Sequence, residues 1–234
     1  MRHHRQQLLW GSEGQAKLAA STVAIVGLGG LGSPAALYLA GAGVGRLRLI
    51  DADKVELSNL HRQILYKSSH VGRAKAEMAR RQLEALDPQC QVEECPSYIK
   101  EENIAPLLAG ADLVLDCADN LATKQLLNRW CVSHGLPLVS AVANRWQYRV
   151  QLVRGGPCLA CLYGEAEQGA GNCDSLGVAG PLLGMAGSFQ GLLAIQQLLG
   201  MAPAQDRLHL FDGQKLAWNS WQLSRDPACP VCSQ

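Results

Sequence analysis

Two Cys-x-x-Cys pairs, Cys158-Leu-Ala-Cys161 and Cys229-Pro-Val-Cys232, carry the clearest chemistry in this sequence. Each pair presents two sulfurs from one turn, and four thiolates close a tetrahedron around zinc with no open position. With 67 residues between Cys161 and Cys229, such a site would be structural, stapling the stretch near Gly156 to the C-terminal end. A thioredoxin-type redox pair is the rival, but such pairs occur singly at a helix start. The chain has nine cysteines. No apolar run follows the basic N-terminus, so no secretory signal is expected and the thiols point to metal or free cysteine in a cytoplasmic protein.

A second centre starts at Gly27-Leu-Gly29-Gly30-Leu-Gly32, directly after the apolar, β-branched run Thr22-Val-Ala-Ile-Val26 and opening a helical stretch. Such glycines let the backbone turn sharply and approach a phosphate, whose charge meets the helix N-terminus. Asp51, 19 residues beyond Gly32 at the end of the next strand, suits ribose hydroxyls. Alone this motif means an adenine nucleotide, with NAD the default. The residues that follow favour a triphosphate. Asn59, Arg62 and Gln63 cluster after Asp51, and Lys75 begins the next helical pattern. Fixed cations there suit a nucleoside triphosphate and the charge that develops at a phosphoryl centre. Asp119, in Asp116-Cys-Ala-Asp119-Asn120, falls where strands of an open α/β sheet end. A carboxylate there can hold magnesium or cap the following helix, and the two roles are compatible. Cys173 lies in Gly171-Asn-Cys-Asp-Ser-Leu-Gly177. That setting reads as a loop in which a thiol can be exposed and reactive.

The elements that must position these residues alternate. Strands are expected at 22–26, 46–50, 91–95, 111–116 and 136–142, and helices at 33–43, 73–86 and 122–134. That order predicts an α/β fold, a Rossmann-like doubly wound parallel sheet. Beyond Trp146 the pattern changes, with strands expected at 148–153, 207–211 and 215–223 around a glycine-rich helix. The expectation is one adenylation-type domain over 1–234. Its nucleotide-binding core covers 1–145, and 146–234 forms an antiparallel, zinc-stapled C-terminal extension.

Composition removes other classes. Hydrophobic residues make up 48% and charged residues 18% of the 234 residues, which excludes wholesale disorder. Lys plus Arg is 21 against 20 for Asp plus Glu, no basic excess for a dedicated nucleic-acid binder. The 24 residues from Gly177 to Gly200 carry no charge, enough in length to span a bilayer. Glycines at 177, 180, 184, 187 and 191, three glutamines and Pro181, without flanking Lys or Arg clusters, read as a buried helix with a glycine ridge.

Taken together these residues resemble the ThiF/MoeB/HesA group, bacterial relatives of ubiquitin-activating enzymes. The likeness runs from Arg2-His-His-Arg5-Gln6 through the glycine motif, Asp51, Ser58-Asn-Leu-His-Arg-Gln63, Lys75, Asp116-Cys-Ala-Asp-Asn120, the four paired cysteines and Cys173. It is closest in pattern to the thiamine-pathway branch, through Leu115-Asp-Cys-Ala-Asp-Asn120 and Leu210-Phe-Asp-Gly213, and the C-terminal rhodanese domain that some relatives carry is not expected. The resemblance implies MgATP-dependent adenylylation of a small ubiquitin-like sulfur carrier at its C-terminal Gly-Gly. It further implies a homodimer in which Arg5 reaches the partner's ATP, and a sulfur donor of cysteine desulfurase or rhodanese type. Arg62 and Lys75 match phosphate contacts, Asn59 and Gln63 neighbouring ones, Asp51 the ribose contact and Asp119 the magnesium ligand. Cys173 matches a cysteine that becomes acylated or persulfide-linked to the carrier. Alternatives in the same chemistry are a molybdopterin-synthase carrier or a secondary-metabolite carrier. More distant ones are an NAD-dependent oxidoreductase and a non-catalytic nucleotide-binding module. One departure stands at Asn144-Arg-Trp-Gln-Tyr-Arg149, where the group has a glycine-rich turn ending in Gly-Gln near the carrier tail.

Overall fold

The computed structural model describes residues 2–164, 177–202 and 206–233. Among them, eight strands form one sheet in the order β3-β2-β1-β4-β5-β6-β7-β8. Strands β1 (Thr22–Val26), β2 (Arg46–Ile50), β3 (Gln91–Cys95), β4 (Leu113–Asp116) and β5 (Leu138–Asn144) run parallel. Strands β6 (Gln147–Val153), β7 (Arg207–Asp212) and β8 (Ala217–Gln222) continue it antiparallel. The alternation of parallel and antiparallel halves is the one the sequence predicts.

Register sets the site. Val26 stands opposite both Ile50 and Asp116, Ile50 opposite Cys95, and Asp116 opposite Ser140. The strands therefore end level, and Gly27, Asp51 and Cys117 leave the sheet side by side. Chain order places β2 and β3 on one side of β1 and β4 and β5 on the other. The crevice at that reversal is where open α/β sheets bind ligands.

The β1 run Val23-Ala-Ile-Val26 is buried on both faces, as a central parallel strand requires. Val23 and Ile25 pack into one core with α2 (Gly32–Ala42), α3 (Lys75–Leu86) and α7 (Gly180–Leu199). Ala24 and Val26 pack into the other with α4 (Ile104–Leu108), α5 (Leu121–Ser133) and α6 (Leu159–Tyr163). Both faces are covered, so the sheet is doubly wound.

Helix α7 is the uncharged stretch noted in the sequence. It meets the length and composition needed to cross a membrane, but half of its most apolar window is buried in the protein. The glycine ridge has a partner. A Cβ at Gly187 would collide with the Leu31 carbonyl and lie 2.7 Å from Pro34 Cγ, so α7 rests backbone-close on α2.

The sequence reading anticipated no helix at the N-terminus, yet α1 spans His4–Ala20. Gly11, at φ 70 and ψ 179, breaks it into two pieces, and the polar composition hides any amphipathic period. Its second piece is seated by Gln15, whose Nε2 donates to the Ala42 carbonyl at 2.9 Å, and by buried Leu18. The first piece leaves Leu8 and Leu9 more than 70% exposed (73% and 77%).

Candidate functional site

At the β1 end Gly27 adopts φ +91, and a Cβ there would sit 2.7 Å from the Cys117 carbonyl. A side chain would be strained in this conformation and would strike the neighbouring strand. The resulting loop is fixed from below. The Tyr66 hydroxyl donates to the Leu28 carbonyl at 2.9 Å, while the Leu28 N–H donates to Asp51 Oδ2 at 2.7 Å. Asp51 Oδ1 accepts the Asp53 N–H at 2.8 Å. Burial pushes the Asp51 carboxyl above its ordinary value, outweighing the nearby Lys75 charge and these two amide bonds.

Asp53 Oδ2 takes Lys75 Nζ at 2.9 Å, and Oδ1 takes the Tyr98 hydroxyl at 2.7 Å. Partial burial works against the Asp53 charge, but the bonds from Lys75 and Tyr98 prevail and hold its carboxyl below the usual range. Glycine loop, Asp51, Asp53 and Lys75 thus form one connected network.

The segment after Asp51 packs over the loop. Buried Asn59 closes a short 3-10 turn (Leu57–Asn59), its Oδ1 accepting the Glu56 N–H at 3.2 Å. Arg62 donates to the Ser58 carbonyl at 3.0 Å and lies 2.9 Å from His61 Nε2. Gln63 is buried next to Gly29, and its Oε1 has no partner among the described residues. A buried amide oxygen without a donor is costly unless something supplies one.

On the β4 side Asp116 is fully buried. It is paired with Lys124 Nζ at 3.0 and 3.1 Å, accepts Ser140 Oγ at 2.5 Å, and caps the Ala118 N–H at 3.1 Å. Gln190 of α7 donates to the carbonyls of Asp116 and Val139 at 2.9 and 3.0 Å. The turn that follows carries Asp119 into solvent. The cap of α5 is Asn120, whose Oδ1 accepts the Thr123 N–H at 2.9 Å. Asp119 is therefore spared that task, with one 3.4 Å contact from Asn120 Nδ2.

The four paired cysteines do converge. Cys158 and Cys229 sulfurs lie 3.7 Å apart, Cys161 and Cys232 sulfurs 3.4 Å, and all four within 4.8 Å. A tetrahedral zinc with bonds near 2.3 Å would set its sulfurs roughly 3.8 Å apart. Gly156 is needed beside them, since a Cβ there would sit 2.9 Å from Cys232 Sγ. Burial raises the Cys229 thiol, but the Cys232 and Val231 amides and neighbouring thiols outweigh it and bring it to about 7.

One of the sequence candidates stands elsewhere. Arg5 is exposed at the start of α1. Arg2, one turn earlier, donates to the Leu86 carbonyl at the far end of α3. Lys75 opens that helix, roughly 16 Å away at 1.5 Å per residue, so Arg5 sits remote from its own chain's Lys75. Cys173 lies outside the described residues. The departure at 144–149 forms the β5–β6 turn, with Arg145 at φ 50 bridged to Val178.

The sequence reading missed Asp53, Tyr98, Lys124, Ser140 and Gln190. Lys124 offered a signal, a lone charge on the α5 stripe shared with Leu127 and Asn128.

A match to the ThiF family extends over residues 3–231. The chain belongs to the ThiF family. This ThiF-family chain is 42% identical over 237 residues to the sulfur carrier protein ThiS adenylyltransferase of Escherichia coli K12, covering 99% of this chain and 94% of that protein. It is 40% identical over 240 residues to the molybdopterin-synthase adenylyltransferase of the same organism, covering 100% and 96%. The adenylyltransferase and sulfurtransferase MOCS3 of Anopheles gambiae is 42% identical, and the chain spans 55% of its length. The fold matches that of E. coli MccB crystallised with ATP, at TM-score 0.85 and 24% identity over 99% of this chain and 74% of that one.

Proposed function

We propose that this protein activates the C-terminal glycine of a small ubiquitin-like sulfur carrier by adenylylation, with a thiamine-type carrier as the first choice. The carrying observation is the network joining the glycine loop, Asp51 and Lys75, in a chain 40 to 42% identical over nearly its whole length to two adenylyltransferases.

The residues fit MgATP. The glycines of the Gly27–Gly32 loop keep the backbone free of side chains at 27, 29, 30 and 32, as close approach to a phosphate requires, and Gln63, its Oε1 without a partner among the described residues, borders Gly29. Asp51 would take the ribose and Asn59, Arg62, Gln63 and Lys75 the phosphate side. Asp119, spared from capping, would hold magnesium, which when bound neutralises phosphate oxygens. The terminal carboxylate oxygen of the carrier attacks the α-phosphorus. A new P–O bond forms, the bond to the β-phosphate breaks, and pyrophosphate leaves. Two anions must meet, so catalysis consists of positioning and fixed positive charge. A carboxylate is already the nucleophile, and no general base is required.

The four-thiolate cluster fits structural zinc, closed and without an open position. A homodimer would cover Leu8 and Leu9 and bring Arg5 to the partner's nucleotide. Cys173 would act after adenylylation, its thiolate forming a C–S bond to the carrier's acyl carbon as the bond to phosphate breaks and AMP leaves, with sulfur then supplied by a cysteine desulfurase or rhodanese-type donor. The working compartment would be the cytoplasm.

The test is carrier-dependent ATP–pyrophosphate exchange with thiamine-type and molybdopterin-type carriers side by side, together with calorimetric titration of MgATP and NADH. Exchange with one carrier and binding of MgATP alone is expected. Tight NADH binding without exchange would overturn the proposal.

A further inference from the structure

The following rests on the adenylation reading. Tyr98 lies just beyond β3, at the same sheet edge as Asp51. Its side chain is exposed (64%), yet both its ends are held. The hydroxyl donates to Asp53 Oδ1 at 2.7 Å, and Asn103 Nδ2 donates to the Tyr98 carbonyl at 2.9 Å. Asp53 holds Lys75 twice, through Oδ2 to Nζ at 2.9 Å and through its carbonyl to the Lys75 N–H at 2.9 Å. The Lys75 side chain is nearly buried, so its ammonium goes where Asp53 directs it.

Asp53 itself is half exposed, and among the described residues its carboxylate takes side-chain bonds from Lys75 and Tyr98. Left with Lys75 alone, that carboxylate would compete with any incoming phosphate for the ammonium. A second donor on Oδ1 changes this. It fixes the carboxylate plane and draws off part of the charge facing Lys75.

We propose that Tyr98 is a positioning residue of the nucleotide site. Its phenol holds Asp53, and Asp53 holds the Lys75 ammonium ready for the triphosphate. Tyr98 thereby acts on phosphate binding through Lys75, without touching phosphate.

The experiment is a double-mutant cycle on the full chain, with wild type, Tyr98→Phe, Lys75→Ala and the double variant. The probes are magnesium with a non-hydrolysable α,β-methylene ATP analogue, and adenosine, both by calorimetry, with thermal melting alongside. Tyr98→Phe should weaken the analogue about 3- to 10-fold, the scale of one ordinary net hydrogen bond because the phenol acts on phosphate only through Lys75, and leave adenosine binding and melting unchanged. In the Lys75→Ala background it should add nothing. An equal further loss in that background, or an equal loss for adenosine, would overturn the relay. No loss of analogue binding on Lys75→Ala alone would overturn the underlying assignment of Lys75 to phosphate, and the relay with it.

Discussion

Lys124 Nζ lies 3.0 Å from Asp116 Oδ2 in the protein interior, and the chain leads from Asp116 to Asp119 in three residues. The pair clamps the turn that presents Asp119. Its second anchor is the Ala141 carbonyl, which accepts Lys124 Nζ at 2.7 Å and ties α5 to β5. Lys124→Met would strand a fully buried carboxylate, at a cost of about 3–5 kcal/mol. Urea denaturation should show that loss as a lower midpoint. The Asp116→Asn, Lys124→Met double variant should recover part of it. A midpoint unmoved by Lys124→Met would mean that Ser140 and the Ala118 amide satisfy Asp116 without the lysine.

Asp51 offers a pH signature. Its folded carboxyl is raised above 3.8, mainly by burial. An acid raised on folding destabilises the fold when ionised. The penalty is therefore full above the folded value, shrinks as pH falls through it, and is gone below the unfolded value. Asp51→Asn, which can still accept the Leu28 N–H, should melt no lower than wild type at pH 7. Any advantage should narrow as the pH is lowered towards 4, while MgATP binding is weakened at pH 7. A variant much less stable at pH 7 would show that the amide bonds need the charge.

For the cysteine cluster, Cys158→Ser and Cys229→Ser should each lower zinc content from one per chain towards none. Structural metal binding is folding free energy, so both should also lower the melting temperature. Elemental analysis with differential scanning calorimetry checks both effects. Full zinc and unchanged melting in the two variants would contradict the assignment.

The proposed homodimer makes a sharper claim. Arg5→Ala and Lys75→Ala chains should each be inactive in exchange alone. Once subunits have exchanged, their mixture should regain activity, because a hybrid dimer contains one composite site with both residues. Verified hybrids that stay inactive would place Arg5 outside the active site.

Adenylylation and thiol chemistry should separate by mutation. Asp119→Ala should reduce carrier-dependent exchange about 100- to 1,000-fold, the scale on which fixed electrostatic groups act in transition states. Cys173→Ser should retain exchange and lose any covalent carrier adduct, seen by mass spectrometry without reductant, because a serine hydroxyl is hardly ionised at neutral pH and forms no persulfide. Exchange lost equally in both would assign Cys173 to the nucleotide site or the fold.

Much of this arrangement was legible in the sequence because its signals are local. The β-branched run ending in Gly27, the short spacing within each cysteine pair and the charge-free α7 each announce themselves within a few residues. What was hidden depends on partners far along the chain. Tyr98 meets Asp53 across 45 residues, and Gln190 reaches the Asp116 carbonyl across 74. Neither side chain has a neighbour in sequence that betrays it. Helix α1 was missed because Gly11 divides it and because Leu8 and Leu9, in its first piece, stay exposed while Leu18 alone is fully buried from its second. The four cysteines were readable as a set because metal coordination demands the same residue type four times, whereas a hydrogen-bond network demands none.

The glycine contact between α7 and α2 has a genetic corollary. A methyl at Gly187 must lift α7 from the Leu31 backbone, and Gln190 is carried on the next turn of that helix. The lift would draw its amide from the Asp116 and Val139 carbonyls, directly beneath the turn bearing Asp119. A random screen for lost activity in a folded, full-length protein should therefore recover substitutions along the small-residue side of α7. Suppressors of those alleles should map to α2, where trimming Pro34 or its neighbours reopens the space.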